Sequence, residues 1–350
     1  MVVIDDPRSF RAREGIAGPG YAARLAYQDD PALGRQVKAI AQDYALTVLT
    51  QWPVRNLDVH CFLIKAPKDG VLARLEQDDR VRWVQPFNDF TVQSVARSAA
   101  VPDPSASAAA KSLHALGRGM KIAVIDTSVD RNHPDLKFSS IQQKDFVGNR
   151  RGAAGEDHGT AVVGLIAAQP ASANGLQGLA SHTHIDALRG CWQDEDGVGR
   201  CNTLTLALAL DAAIDIKPDV LNLSLTGSYD RILQTLVERL VAQGTFVVAA
   251  YDDQRAPEQR FPAPSDGLVY AYGAPQTGGA AAQDLAERLT ENVFVVRGPH
   301  EAFTLAPMNG YDLVSGHSIA APHVAVEAIL LKQNQPEITH EQIRDQLVQP

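Results

Sequence analysis

The chain has 350 residues, a length that suits about two domains. Hydrophobic residues make up 45% and charged residues 21%, which excludes disordered, collagen-like and low-complexity proteins; no apolar run approaches the ~18–20 residues of a membrane-spanning helix. The net charge of −9 argues against a protein that grips a nucleic-acid backbone.

The first 15 residues lack a basic head followed by an apolar stretch, so they do not read as a secretory signal. Residues 20–93 form the ordered core expected of a domain spanning 1–94. In chain order they suggest a strand at 21–28, a helix at 31–44 opened by Pro31, strands at 46–52 and 57–66, a short helix at 69–79 and a strand at 80–86. The order β-α-β-β-α-β is that of a small ferredoxin-like α+β sheet, an arrangement that by itself specifies no function. Cys61, within the apolar run VHCFLI, reads as a small buried hydrophobe. Residues 95–118 are rich in Ala, Ser and Pro and read as a linker.

The remaining domain, 119–350, has an α/β pattern. Strands are expected at 120–126, 183–189, 219–225, 245–251 and 267–274, with helices at 203–216 and 229–244. Such alternation builds a parallel sheet flanked by helices, whose chemistry collects at the carboxyl ends of the strands. Asp126 stands at such an end. Cys191 and Cys201 bracket a polar, turn-rich loop, where a disulfide and two separate thiols are equally compatible with the sequence.

Three segments carry the chemistry: IAVIDTSVDRNHPDL (122–136), EDHGTAVVGLIAA (156–168) and SGHSIAAPHVAVEAILL (315–331). Taken alone, Asp126 reads as a turn aspartate, His158 as a helix-start histidine and Ser318 as a helix N-cap. Taken together they supply a nucleophile, a base to accept its proton and a carboxylate to fix the base's tautomer. A serine at a helix N-terminus also has backbone N–H groups nearby as negative charge develops.

These three blocks, in Asp…His…Ser order, resemble those of the subtilisin-like serine proteases, the subtilases. LNLSLTG (221–227) is similar to the strand that binds the substrate backbone, and FVVAAYDD (246–253) to the oxyanion block. The resemblance covers about residues 117–345. It implies a subtilisin-like sheet and a serine endopeptidase with Asp126, His158 and Ser318 as its triad. It also implies that Ser224, Leu225, Thr226 and Gly227 contact substrate. The preceding module is similar to the family's propeptide, which implies an autoprocessed zymogen inhibited by its own N-terminal domain. The alternative is a self-inhibited or weakly active relative that serves as a binding or regulatory module.

The sequence departs from the family in several places. His317 and Ile319 flank the serine where Thr and Met are usual, and Ala161 replaces a frequent histidine. Thr226 stands where a glycine usually lets the substrate backbone approach, so its side chain is expected to narrow the cleft. Asp253 occupies the oxyanion position, where the family has an asparagine, and an ionised carboxylate cannot donate a hydrogen bond. Losing that donor costs about 10²–10³ in turnover, a magnitude measured on subtilisin itself.

No cofactor is required by this reading. The family often binds calcium, but the loop at 169–178 is poor in the hard oxygen ligands calcium needs. Asp194, Glu195 and Asp196 read as a solvated turn, and His182 with His184 lacks the further ligands of a metal site. No metal ligand is assigned. The expected partners are polypeptide substrates and the chain's own N-terminal domain, with no nucleic acid and no membrane span. The expected location is periplasmic or secreted, the signal peptide being absent from this chain; a cytoplasmic site also fits.

Overall fold

The computed structural model describes residues 1–6, 31–92, 117–148, 155–173, 175–274 and 294–348. The strand expected at 21–28 and most of the expected linker lie outside them. The chain divides into two compact units, 1–87 and 88–350.

In the smaller unit, β1 (Val2–Asp5), β2 (Val48–Val54), β3 (Val59–Ile64) and β4 (Trp83–Val84) form an antiparallel sheet in the order β2-β3-β1-β4. Alternation along the strands brings Val2, Ile4, Phe62 and Ile64 into one core with Leu33, Val37 and Ile40 of α1 (Pro31–Asp43) and Val71 and Leu75 of α2 (Val71–Leu75). One of the two inner strands is thus the N-terminal VVID, too short a run to stand out in the sequence. The helix expected at 69–79 shrinks to one turn, entered from Gly70 in the left-handed region at φ 75°.

The larger unit is built on seven parallel strands in the order β16-β15-β13-β11-β6-β8-β7. They are β6 (Lys121–Asp126), β7 (Ile141–Asp145), β8 (His184–Arg189), β11 (Val220–Leu223), β13 (Phe246–Ala250), β15 (Leu268–Ala274) and β16 (Val295–Pro299). Ile122, Val124, Val220, Val248 and Val269 point to one face and pack on α3 (Asp157–Ala167) and α6 (His317–Asn334). Helix α4 (Thr203–Ile216) is buried on nearly all sides, Leu206 and Leu210 included, and the amphipathic α5 (Arg231–Ala242) buries Ile232, Leu236 and Leu240. Helix α4 starts at a capping box between Asn202 and Thr205 and stops at Lys217, which is in the left-handed region just before Pro218. The chain closes with α7 (His340–Val348), and a hairpin of β17 (Glu301–Ala306) and β18 (Gly310–Ser315) precedes α6.

A second sheet lies at the carboxyl ends of these strands. It is antiparallel, in the order β14-β12-β5-β10-β9, from β5 (Asp89–Val92), β9 (Cys191–Gln193), β10 (Gly199–Asn202), β12 (Leu225–Ser228) and β14 (Arg260–Phe261). Its middle strand is the segment that follows the smaller unit in the chain. Cys191 and Cys201 face each other directly across β9 and β10 and form a disulfide, with Cα atoms 4.3 Å apart.

Candidate active site

Strand β6 delivers Asp126 to its carboxyl end, where the carboxylate is buried and accepts the Thr127 N–H at 2.7 Å. Helix α3 begins one residue before His158, whose Nδ1 lies 2.8 Å and 3.0 Å from the two oxygens of Asp126. With Nδ1–H donated to the carboxylate, Nε2 is left as the basic atom. That Nε2 is buried without a hydrogen-bond partner among the described residues. Gly159 lets the helix approach: a Cβ there would meet the Thr127 carbonyl oxygen at 2.4 Å, while its N–H donates to Thr127 Oγ1 at 2.9 Å.

The His158 helix is also anchored from below. The Glu156 carboxylate accepts the N–H groups of Ser128 at 2.6 Å and Gln193 at 3.0 Å, and Arg189 reaches it from Nη2 at 3.2 Å. Arg189 is fully buried and also donates to Asp145 at 3.1 Å. A buried guanidinium is costly unless paired, and here two carboxylates surround it. Sequence reasoning missed this network, because the partners come from three distant segments and only the Arg at the end of an apolar strand hinted at it.

Ser318 lies buried in the first turn of α6, preceded by Gly316 at φ 132°. Pro322 lies four residues on, inside the helix, and has no N–H to give to the Ser318 carbonyl. Ser224 Oγ donates to that oxygen instead at 3.0 Å, and itself accepts Asn222 Nδ2 at 2.9 Å. The proline in the motif thus leaves the serine's carbonyl to be held by Ser224, which directly precedes β12.

The groove already holds a strand of this chain. Val92 pairs with Leu225, Thr91 with Thr226 and Phe90 with Gly227 on β12, while β10 pairs along the other edge of β5. The ladder runs through Thr226 unbroken. The close approach is at Gly227, where a Cβ would fall 2.1 Å from the Phe90 ring, which in turn meets Phe261 edge-on at 5.5 Å. Val92 borders a cavity of ≈ 370 Å³ together with His158, Thr127, Ala161 and Gly199.

On the other side of Ser318, Asp252 is buried and accepts Arg255 Nη1 at 2.7 Å and the Gln254 N–H at 2.9 Å. Asp253 is exposed, accepts Gln254 Nε2 at 2.8 Å, and lines a second cleft of ≈ 400 Å³ with Val92, His300, Gly316 and His317.

The loop where the family's calcium would sit is held by protein donors. Asp135 is buried, and its two oxygens accept the N–H groups of Ala171 at 2.8 Å and Leu176 at 2.6 Å and the Tyr311 hydroxyl at 2.8 Å. That carboxylate is already occupied, so these residues do not fit a calcium cage. No cluster of three or more His, Cys, Asp or Glu suited to a metal occurs among the described residues. His184 is engaged by Ser140 at 2.7 Å and Asp186 at 3.5 Å.

The profile described as the Subtilase family matches residues 117–349. The chain is 34% identical to the thermophilic serine proteinase of Bacillus sp. (strain AK1) over 61% of this chain, and the match spans about half of that relative, 52%. It is 30% identical to subtilisin E of Bacillus subtilis (strain 168) over 80% of this chain and 72% of the relative. Among solved structures, the S41 psychrophilic protease superposes with a TM-score of 0.55 at 23% identity, covering 72% of this chain and 90% of that one, which bears on the fold alone. A parallel sheet of subtilisin-like architecture, with the first sequence block on β6 and the other two on the helices α3 and α6 packed against it, and a family match over residues 117–349, make this chain a member of the subtilase family of serine proteases.

Proposed function

We propose that the protein is a serine endopeptidase made as an autoprocessed zymogen, with Ser318 as nucleophile, His158 as general base and Asp126 as the carboxylate that orients it. In this mechanism His158 Nε2 takes the Ser318 proton as Oγ attacks the peptide carbonyl. The proton then passes to the leaving amine, and water hydrolyses the acyl-enzyme by the same route. The Ser318 N–H, at the start of α6, faces the developing oxyanion with the positive end of the helix behind it.

The observation that carries the reading is β5. Asp89–Val92 sits between β12 and β10 as the central strand, as an extended substrate adds to a sheet edge. Its register puts Val92 in the same cavity wall as His158. On this reading Ser318 cuts the chain shortly after Val92, and the N-terminal segment that ends in β5 serves first as substrate and then as inhibitor. The match to subtilisin E, which extends over more of the chain than the family profile, supports this role for the N-terminal unit. The Cys191–Cys201 disulfide supports a periplasmic or secreted location, and no described helix is long and apolar enough to cross a membrane.

A fluorophosphonate probe and a chromogenic peptide test the reading. The processed protein should react with both, Ser318→Ala with neither, and separately expressed residues 1–92 should block peptide hydrolysis at micromolar concentration. Undiminished labelling of Ser318→Ala would remove that serine from the mechanism.

A further inference from the structure

His317 and His300 approach the cleft from two elements, and one residue orients both. The Gly273 N–H donates to His317 Nδ1 at 3.0 Å, and the Gly273 carbonyl lies 3.2 Å from His300 Nδ1. A backbone N–H can only donate and a carbonyl can only accept, so the two neutral rings are opposite tautomers. His317 carries its proton on Nε2, and His300 carries its own on Nδ1. The His317 ring is further fixed by stacking on Tyr272 at 4.6 Å and by an edge contact with Tyr251 at 6.2 Å. Among the described residues its Nε2 has no hydrogen-bond partner.

The place of this donor matters. His317 directly precedes the nucleophile and shares one cleft wall with Val92, the last described residue of the strand in the groove, and with Asp253, where the family carries its amide. His317 lines that cleft, and a side-chain N–H there is what Asp253 cannot supply, because its carboxylate offers only acceptors when ionised. Burial pushes the His317 pKa below its ordinary value; Asp253 and Asp252 pull it upward and His300 pushes it further down. The ring is therefore held largely neutral at neutral pH, as a donor with a fixed direction.

We propose that His317 Nε2–H is the second hydrogen-bond donor to the carbonyl oxygen attacked by Ser318, in place of the family's asparagine amide. The inference rests on the endopeptidase reading above. In the step it serves, the Ser318 Oγ–carbon bond forms and the carbonyl π pair moves to oxygen. The Oγ proton goes to His158, and the new oxyanion is held by the N–H of Ser318 and by His317. The imidazole keeps its own proton throughout, so nothing else is consumed.

The test compares the processed forms of wild type, of His317→Phe, which keeps the stack on Tyr272 but has no N–H, and of His317→Gln, which restores an N–H. Each is assayed for peptide hydrolysis at pH 8, for affinity toward a peptide aldehyde that forms a tetrahedral adduct, and for affinity toward the peptide DFT, which ends before the residue whose carbonyl is attacked. We expect His317→Phe to lower kcat about 100-fold, with KM and DFT binding within about threefold of wild type, and to weaken the aldehyde by the same factor as kcat. His317→Gln should recover at least about tenfold of the loss. A kcat for His317→Phe within threefold of wild type, or equal losses for aldehyde and DFT, overturns the donor role while leaving the endopeptidase reading intact. A wild-type protein that hydrolyses no peptide overturns both.

Discussion

On one side of Ser318, His158 is locked to Asp126 through two short contacts, and its helix is moored by Glu156 to the buried Arg189. On the other side, Asp253 is exposed and borders an open cleft, which it shares with His317, an imidazole held at Nδ1 by the Gly273 N–H. The proton-transfer half holds His158 between a carboxylate and a moored helix. The half that would hold negative charge has, in our proposal, an imidazole in place of the family's amide. The contrast suggests that base geometry tolerates little change, because one imidazole must meet both a carboxylate and a hydroxyl. A charge-stabilising donor, by contrast, can be supplied from any wall of the cleft that reaches the oxygen.

Three substitutions probe that contrast, beginning with the largest expected effect. Asp126→Asn removes the carboxylate that fixes the His158 tautomer and should lower kcat by about 10⁴ with little change in KM. A loss of tenfold or less would mean that some other group orients the ring. Arg189→Met leaves Glu156 buried with its cation gone and should cost about 3–5 kcal/mol in stability, read from the urea midpoint. An unchanged midpoint would show that the firm half owes nothing to this network.

Asp253→Asn acts on the other half. It removes a charge that repels the oxyanion and adds an N–H, so turnover on a small peptide at pH 7–8 should rise by about tenfold. Paired with His317→Phe it also sharpens the comparison: an asparagine at 253 should rescue much of the loss if both donors serve the same oxygen, and none of it if they do not.

Much of the scaffold was legible in the sequence because parallel strands buried on both faces are nearly continuous apolar runs. MKIAVID and TFVVAAY gave themselves away for this reason, and helix 203–216 has no internal breaker. The polar edge strand β7, with sequence IQQKD, and the hairpin β17–β18 carry no such signal. The three sequence blocks were legible as motifs, and the structure brings Asp126 and His158 into contact. Their supports were not legible, since Glu156–Arg189 and Gly273–His317 join segments more than 30 residues apart. The Cys191–Cys201 bond could not be decided from spacing, because it depends on the two residues being direct cross-strand neighbours. Nothing in the sequence shows that Pro322 leaves the Ser318 carbonyl open to Ser224, because Ser224 lies on a distant segment.

The account as a whole depends on Ser318 cutting the chain whose β5 strand lies in its own groove. Intact-mass analysis after incubation, with the N-terminus of the larger fragment sequenced, tests this most directly. The wild-type chain should yield a larger fragment that begins within a few residues after Val92, and Ser318→Ala should remain whole. Cleavage at the same bond in Ser318→Ala, or a wild-type fragment beginning inside residues 31–87, would contradict it.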